Sequence, residues 1–169
     1  MIIIGIDPGS AITGFGVLKT PEKKNGKPEV IDFGCIITDP KENDGDRLKK
    51  LSNDLNRLIE KYKPKVMAVE RLFFFKNLKT VMPVSQAKGV ILLTAAKKKI
   101  PIYEFTPLQV KMAITGYGKA EKKQVQKMTE ILLDLKDFDM KEKNRNKDDA
   151  SDALGVALCY HIKSNCVLA

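Results

Sequence analysis

The sequence predicts an α/β fold: a five-stranded mixed sheet flanked by helices. Three observations carry this. Three short apolar runs open the chain, separated by turn residues, and read as an antiparallel meander. Two later strand-like runs each follow a helical pattern, as parallel crossovers do. Only helical patterns come after them.

Residues Met1–Asp7 are almost continuously apolar, which suits a central strand buried on both faces. Asp7-Pro8-Gly9-Ser10 is a turn signal. Thr13–Thr20 reads as the second strand, Pro21–Pro28 as an exposed turn and Glu29–Thr38 as the third strand. Leu48, Leu51, Leu55 and Leu58 repeat at helical spacing, so Asp44–Tyr62 is a helix, ended by Pro64. Lys65–Glu70 is the fourth strand. A helix is expected over roughly Thr80–Lys98, with Pro83 delaying its start or kinking it. Ile100–Phe105 is the fifth strand, and helices follow at Pro107–Thr115, Glu121–Leu135 and Asp149–Lys163. The densely charged stretch Lys136–Asp148 reads as an exposed, mobile loop.

The chain has 169 residues, the size of one domain, and a single domain over residues 1–169 is expected. It is 43% hydrophobic and 30% charged, enough for a core and a hydrated surface. No apolar stretch approaches a membrane span, and the start lacks the basic region and cleavage site of a signal peptide. The expected compartment is the cytoplasm. A formal net charge of +9 points to a polyanionic partner, with nucleic acid the first choice. Cys35, Cys159 and Cys166 are scattered and odd in number, so they read as reduced thiols, not as a disulfide framework or zinc site. His161 is the only histidine and reads as a helix-end or surface side chain.

Four carboxylates stand at positions where α/β proteins carry chemistry. Asp7 ends the first strand and Glu70 the fourth, and strand ends are where such sheets place ligands. Asp149 and Asp152 share one face of the last helix. Opposite them, Ala150, Ala153, Leu154, Ala157 and Leu158 form a core stripe, with Gly155 expected to allow close approach to the sheet. An all-oxygen set of this kind is what divalent-cation phosphoryl chemistry needs, because Mg²⁺ prefers hard oxygen ligands. Each residue has a plainer reading as well. Asp7 serves equally as a turn cap, Glu70 as a solvated strand end, and Asp149 and Asp152 as partners of the helix dipole. Asp148 and Glu104 are spare carboxylates that these patterns do not separate from the others.

Several blocks resemble the RuvC family of crossover junction endodeoxyribonucleases. They are Gly5-Ile-Asp7-Pro8-Gly9-Ser10 with Thr13-Gly14-Phe15-Gly16, then Glu70-Arg71-Leu72-Phe73 with Asn77, then Gln86-Ala87-Lys88-Gly89. Gln109-Val110-Lys111, the run Gly116 to Val125, and Asp149-Ala-Ser-Asp152-Ala153-Leu154 follow in the family's order. The resemblance implies an RNase H-like fold with three antiparallel strands followed by two parallel ones. It implies a homodimer that nicks two strands of a four-way (Holliday) DNA junction symmetrically, in recombination and repair. It implies Asp7, Glu70, Asp149 and Asp152 as catalytic, metal-binding residues. Mg²⁺ is the expected cofactor, two ions per site, with Mn²⁺ also fitting. The branch-migration proteins RuvA and RuvB are implied partners. Some relatives carry histidine where this chain has Asp149, so an all-carboxylate site is expected here.

For DNA binding, Lys119, Lys123 and Lys127 are expected to form one basic stripe beside Lys122, on a helix whose N-terminus receives a phosphate. Lys111 and Lys122 match basic positions of the family. Phe73 matches a residue that stacks on an unpaired base. Ala87, Gly89, Val90, Leu93 and Ala96 are expected to contribute to a dimer interface. Three rivals stay open: half of an actin-like ATPase, a non-catalytic junction-binding module, and an RNase H-like nuclease acting on an RNA–DNA hybrid.

Overall fold

A computed structural model describes residues 1–21, 26–71, 78–135 and 147–167, with side chains at 78–80, 147, 166 and 167 left aside. The elements run β1 (Ile2–Asp7), β2 (Ile12–Lys19), β3 (Glu29–Ile37), α1 (Asp44–Tyr62), β4 (Val66–Glu70), α2 (Leu78–Lys97), β5 (Ile102–Phe105), α3 (Pro107–Thr115), α4 (Lys122–Leu133) and α5 (Lys147–Val167). The sheet order is β3-β2-β1-β4-β5. β1, β2 and β3 pair antiparallel, while β1–β4 and β4–β5 pair parallel. This is the RNase H-like arrangement, with β1 at its centre.

Strand alternation divides the core between the two faces of the sheet. Ile4, Ile6, Met67 and Val69 point to one face, against Leu51, Leu55 and Ile59 of α1 and Ala87, Ile91 and Ala95 of α2. Ile3, Leu18, Val66 and Ala68 point to the other, against Ala150, Leu154, Ala157 and Leu158 of α5. Both faces of β1 are therefore dry, as its continuous apolar run requires.

Some expectations change. Helix α2 begins at Leu78, and Pro83 lies inside it. Proline there forfeits one backbone bond, and burial of Ala87, Ile91 and Ala95 on the sheet offsets that loss. Helix α4 begins after Glu121 and stops at Leu133, because Asp134 turns left-handed at φ 52°. Residues 136–146 of the expected loop lie outside the described residues, whereas Asp148 belongs to the first turn of α5. His161 is not a surface side chain: it is buried in α5, where Asn165 Nδ2 lies 3.3 Å from its Nε2, and burial lowers its pKa. Burial also raises the Cys159 thiol to about 11, which makes it inert at neutral pH.

Candidate metal centre

Register brings the first two carboxylates together. In the parallel β1–β4 pair, Gly5 lies opposite Ala68 and Ile6 opposite Val69. One step further, Asp7 and Glu70 end the two strands side by side. Alternation sends Asp7 to the same face as Ile3 and Gly5, and Glu70 to the same face as Val66 and Ala68. Both reach toward α5. The turn after Asp7 is held firmly: Thr13 Oγ1 donates to Gly9 O at 3.0 Å, and Arg47 donates from Nη2 to Ser10 O at 2.6 Å.

Glycines of the sheet bring the second pair. A Cβ built on Gly5 would meet Ala153 O at 2.2 Å, and one on Gly14 would meet Asp149 O at 2.0 Å. A Cβ on Gly16 would meet Leu154 at 2.8 Å. Gly5 pairs with Gly16 and Asp7 with Gly14 across β1–β2. A smooth patch of backbone therefore receives the start of α5 directly beside Asp7. Gly155, expected to provide this approach, faces away from the sheet, toward Ile114, Thr129 and Val110 of the outer helices. The close approach belongs to the strands.

The charges confirm the proximity. Burial raises the Asp7 carboxyl well above its usual range, and Glu70, Asp152 and Asp149 push it further up. A hydrogen bond joins Asp7 and Glu70, and it favours the protonated form of Asp7 and the ionised form of Glu70. Burial also raises Glu70 and Asp152, although Lys122 pulls both back toward ionisation. Lys122 Nζ sits 2.8 Å from an Asp152 oxygen and 4.0 Å from Asp148. Burial disfavours its charge, but the Asp152 contact outweighs that and raises its pKa. Among the described residues, no three acidic, histidine or cysteine groups stand in closed metal-binding geometry. The donor set nevertheless fits a hard divalent cation. Half-buried carboxylates that repel one another are a set that a divalent cation would stabilise.

A cavity of about 180 Å³ opens beside these groups, lined in part by Glu70, Lys111, Lys122, Gln126, Ser151 and Asp152. Lys111 and Lys122 therefore stand at the carboxylates. Lys119 and Lys123 are exposed, but Lys119 precedes α4 and does not join a helical stripe with Lys123 and Lys127. The N-terminus of α4 already has an acidic cap in Glu121, which works against its receiving a phosphate. Phe73 lies outside the described residues.

The spare carboxylates part from the site. Glu104 pairs with Val69 in the sheet and faces α2, where it meets Lys88, with Arg71 at 3.9 Å. Asp148 is exposed and accepts from Gln126 Nε2 at 3.3 Å. Sequence reasoning missed Arg47 and Ser151. Arg47 reads as one more surface charge of α1. Ser151 is 3% exposed with no hydrogen-bond partner for its hydroxyl among the described residues, and only its place between Ala150 and Asp152 hinted at a role.

The family model for the crossover junction endodeoxyribonuclease RuvC matches residues 3–160. A protein of that name from Halothermothrix orenii is 47% identical over 160 residues, 95% of this chain and 92% of its own length. One from Alkaliphilus metalliredigens is 49% identical over 160 residues, again 95% of this chain and 92% of its own. Among solved structures, Thermus thermophilus RuvC in complex with a Holliday junction substrate superposes with a TM-score of 0.86 at 28% identity, over 99% of this chain and 96% of that one. The yeast mitochondrial Holliday junction resolvase shares the fold, with a TM-score of 0.68 at 17% identity over 98% and 80% of the two chains.

Proposed function

Because the chain belongs to the RuvC family of crossover junction endodeoxyribonucleases, we propose that it resolves four-way DNA junctions with Asp7, Glu70, Asp149 and Asp152 as its cation-binding carboxylates. The observation that carries this reading is their convergence from three elements onto one face of the sheet. The whole chain acts as one nuclease domain, and its work lies in the cytoplasm.

Glu70 and Asp7 hold one side of the cation site, and Asp149 and Asp152 hold the other. Two Mg²⁺ ions, or Mn²⁺ in their place, would supply polarisation of the attacking water and charge neutralisation at the leaving oxygen. The chain's own groups do the rest. The half-buried carboxylates exclude bulk water. Lys122 and Lys111 present positive charge where the scissile phosphate must lie. Lys122, which pairs with Asp152 in the absence of cations, would be free to contact the phosphate with cations bound. Lys119 and Lys123 add contacts to the DNA backbone, and Phe73 stacks on a base at the opened crossover. Hydrolysis leaves a 5′-phosphate and a 3′-hydroxyl.

Paired nicks need two sites, so the working unit in this reading is a homodimer. Helix α2 supports it. Met82, Gly89, Leu93 and Ala96 lie along an exposed stripe at 0, 7, 11 and 14 residues, and Met82 and Leu93 are 67% and 55% exposed. Ala87, expected in the interface, belongs instead to the sheet core, and Val90 packs beside it. RuvA and RuvB are the partners that would deliver the junction.

The test is a nicking assay on a synthetic four-way junction with Mg²⁺, beside linear duplex of the same sequence. Symmetric nicks confined to the junction are expected. Asp7→Asn should abolish them while junction binding persists; a variant that still cuts removes Asp7 from the cation site.

A further inference from the structure

The pole of the sheet opposite the carboxylates carries a second concentration of positive charge. An open groove of about 420 Å³ lies there, lined by Lys63, Lys65 and Lys98, with Glu60 the one acidic residue in its wall. Lys98 Nζ lies 2.9 Å from Glu60 and satisfies it, so Lys63 and Lys65 remain in excess. Lys97 and Lys99 are exposed on either side of Lys98.

Backbone conformation marks two of these lysines. Lys63 ends α1 at φ 49° and Lys99 follows α2 at φ 56°, both left-handed. A Cβ is disfavoured there, and glycine is the usual occupant. Gly116, at φ 70°, ends α3 in the same conformation, and Asp134, at φ 52°, ends α4 in it. Neither helix dipole calls for these lysines, because Lys61 and Lys97 already occupy the last turns of α1 and α2. Lys63 lines the groove and Lys99 adjoins its Lys98, each at some cost in local stability. Their backbones are fixed, with Lys63 N donating to Ile59 O at 2.8 Å and Lys99 N to Ala96 O at 2.9 Å.

We propose that this groove is a second DNA-backbone site, which holds phosphates of a duplex segment distinct from the strand at the carboxylates. Lys65 directly precedes β4 and Glu70 ends it, so the two sites lie roughly 16 Å apart along that strand. They open at opposite poles, and one stretch of duplex does not serve both. The groove rests on the family's action on DNA. It would let a protein engaged at a crossover retain a neighbouring arm or a second duplex.

The test fills the carboxylate face first. Protein saturated with unlabelled four-way junction in EDTA, where nothing is cut, is titrated with labelled linear duplex and followed by anisotropy at several salt concentrations. The wild-type complex should capture the duplex, with affinity falling steeply as salt rises. The double variant K63G/K99G should bind it about tenfold or more weakly, with a log–log salt slope shallower by about 2, since each lost phosphate contact removes about 0.9. It should also melt at a higher temperature than wild type, because glycine relieves both left-handed caps, and should nick the junction in Mg²⁺ at the wild-type rate. K65Q/K98Q, which leaves the caps alone, should weaken capture without raising the melting temperature. Failure of the junction-saturated wild type to capture duplex, or capture by both variants with an unchanged slope, overturns the proposal. So does a lower melting temperature for K63G/K99G, which removes the argument from the caps. Nicking by the wild type is read on the same preparation, so a failure of the nuclease reading is seen separately.

Discussion

Asp7 is placed where its charge is least welcome. Burial and three neighbouring carboxylates favour its neutral form, as does its hydrogen bond with Glu70. The sign for stability follows. A carboxyl whose folded pKa is raised binds more protons in the folded chain than in the unfolded one. Its stabilising effect is fully present below the ordinary carboxylate pKa and is lost as pH rises through the folded value. Asn mimics the neutral acid and can still donate. Cation-free Asp7→Asn should therefore be more stable than wild type at pH 7, with a higher melting temperature. The gain should vanish near pH 4. Mg²⁺ should stabilise wild type and not the variant. Melting curves in EDTA from pH 4 to 8 decide it: no gain at any pH would mean that Asp7 is ionised without cost, and a gain that ignores pH would not come from its charge. The identity of this residue was legible in the sequence, because an aspartate between a buried strand and a Pro-Gly turn is unusual. Its protonation was not, because that depends on Glu70, 63 positions away.

At the scale of elements, the site is set by how closely α5 lies on β1 and β2. The alternation of apolar residues made the strands readable, and their ends agree with the structure within about two residues. The glycines were harder to read. Within a strand, Gly5, Gly14 and Gly16 look like weak β-formers, and only the helix lying on them gives them meaning. Gly155 attracted notice instead because a glycine inside a helix stands out. The two assignments give opposite predictions. Gly14→Ala sets a methyl against the backbone oxygen of Asp149 and must lift the helix end. It should cost about 1–3 kcal/mol or more. A displacement of ~1 Å at the carboxylates should lower the nicking rate about 100-fold. Gly155→Ala meets the flexible tip of Ile114 at 3.2 Å. It should change stability by less than about 1 kcal/mol, because alanine's helix preference offsets the contact. Chemical denaturation and single-turnover nicking of both variants compare the two directly. Equal damage from both would mean that α5 is not seated by the strands.

For the whole molecule, the exposed stripe of α2 sits on the sheet face that does not hold the carboxylates. A dimer joined along it would leave both cation sites open to DNA. Beyond its own helix backbone, Gly89 has nothing among the described residues within 4 Å of an added Cβ, yet glycine in a helix interior costs about 0.5–1 kcal/mol relative to alanine. A second helix approaching at that point accounts for keeping it. Leu93→Glu places a charge at the centre of the stripe, where the single chain leaves the side chain 55% exposed. The folded chain should tolerate it, with a stability change within about 0.5 kcal/mol. The dimer should not: burying an unpaired carboxylate in an apolar interface costs several kcal/mol. Sedimentation should then show a folded monomer at concentrations where wild type is dimeric. Junction nicking should lose its pairing, one strand being cut without the other, because no second carboxylate cluster is held at a fixed distance. If Leu93→Glu sediments as wild type does and still cuts both strands together, the two sites are coupled through some surface other than α2.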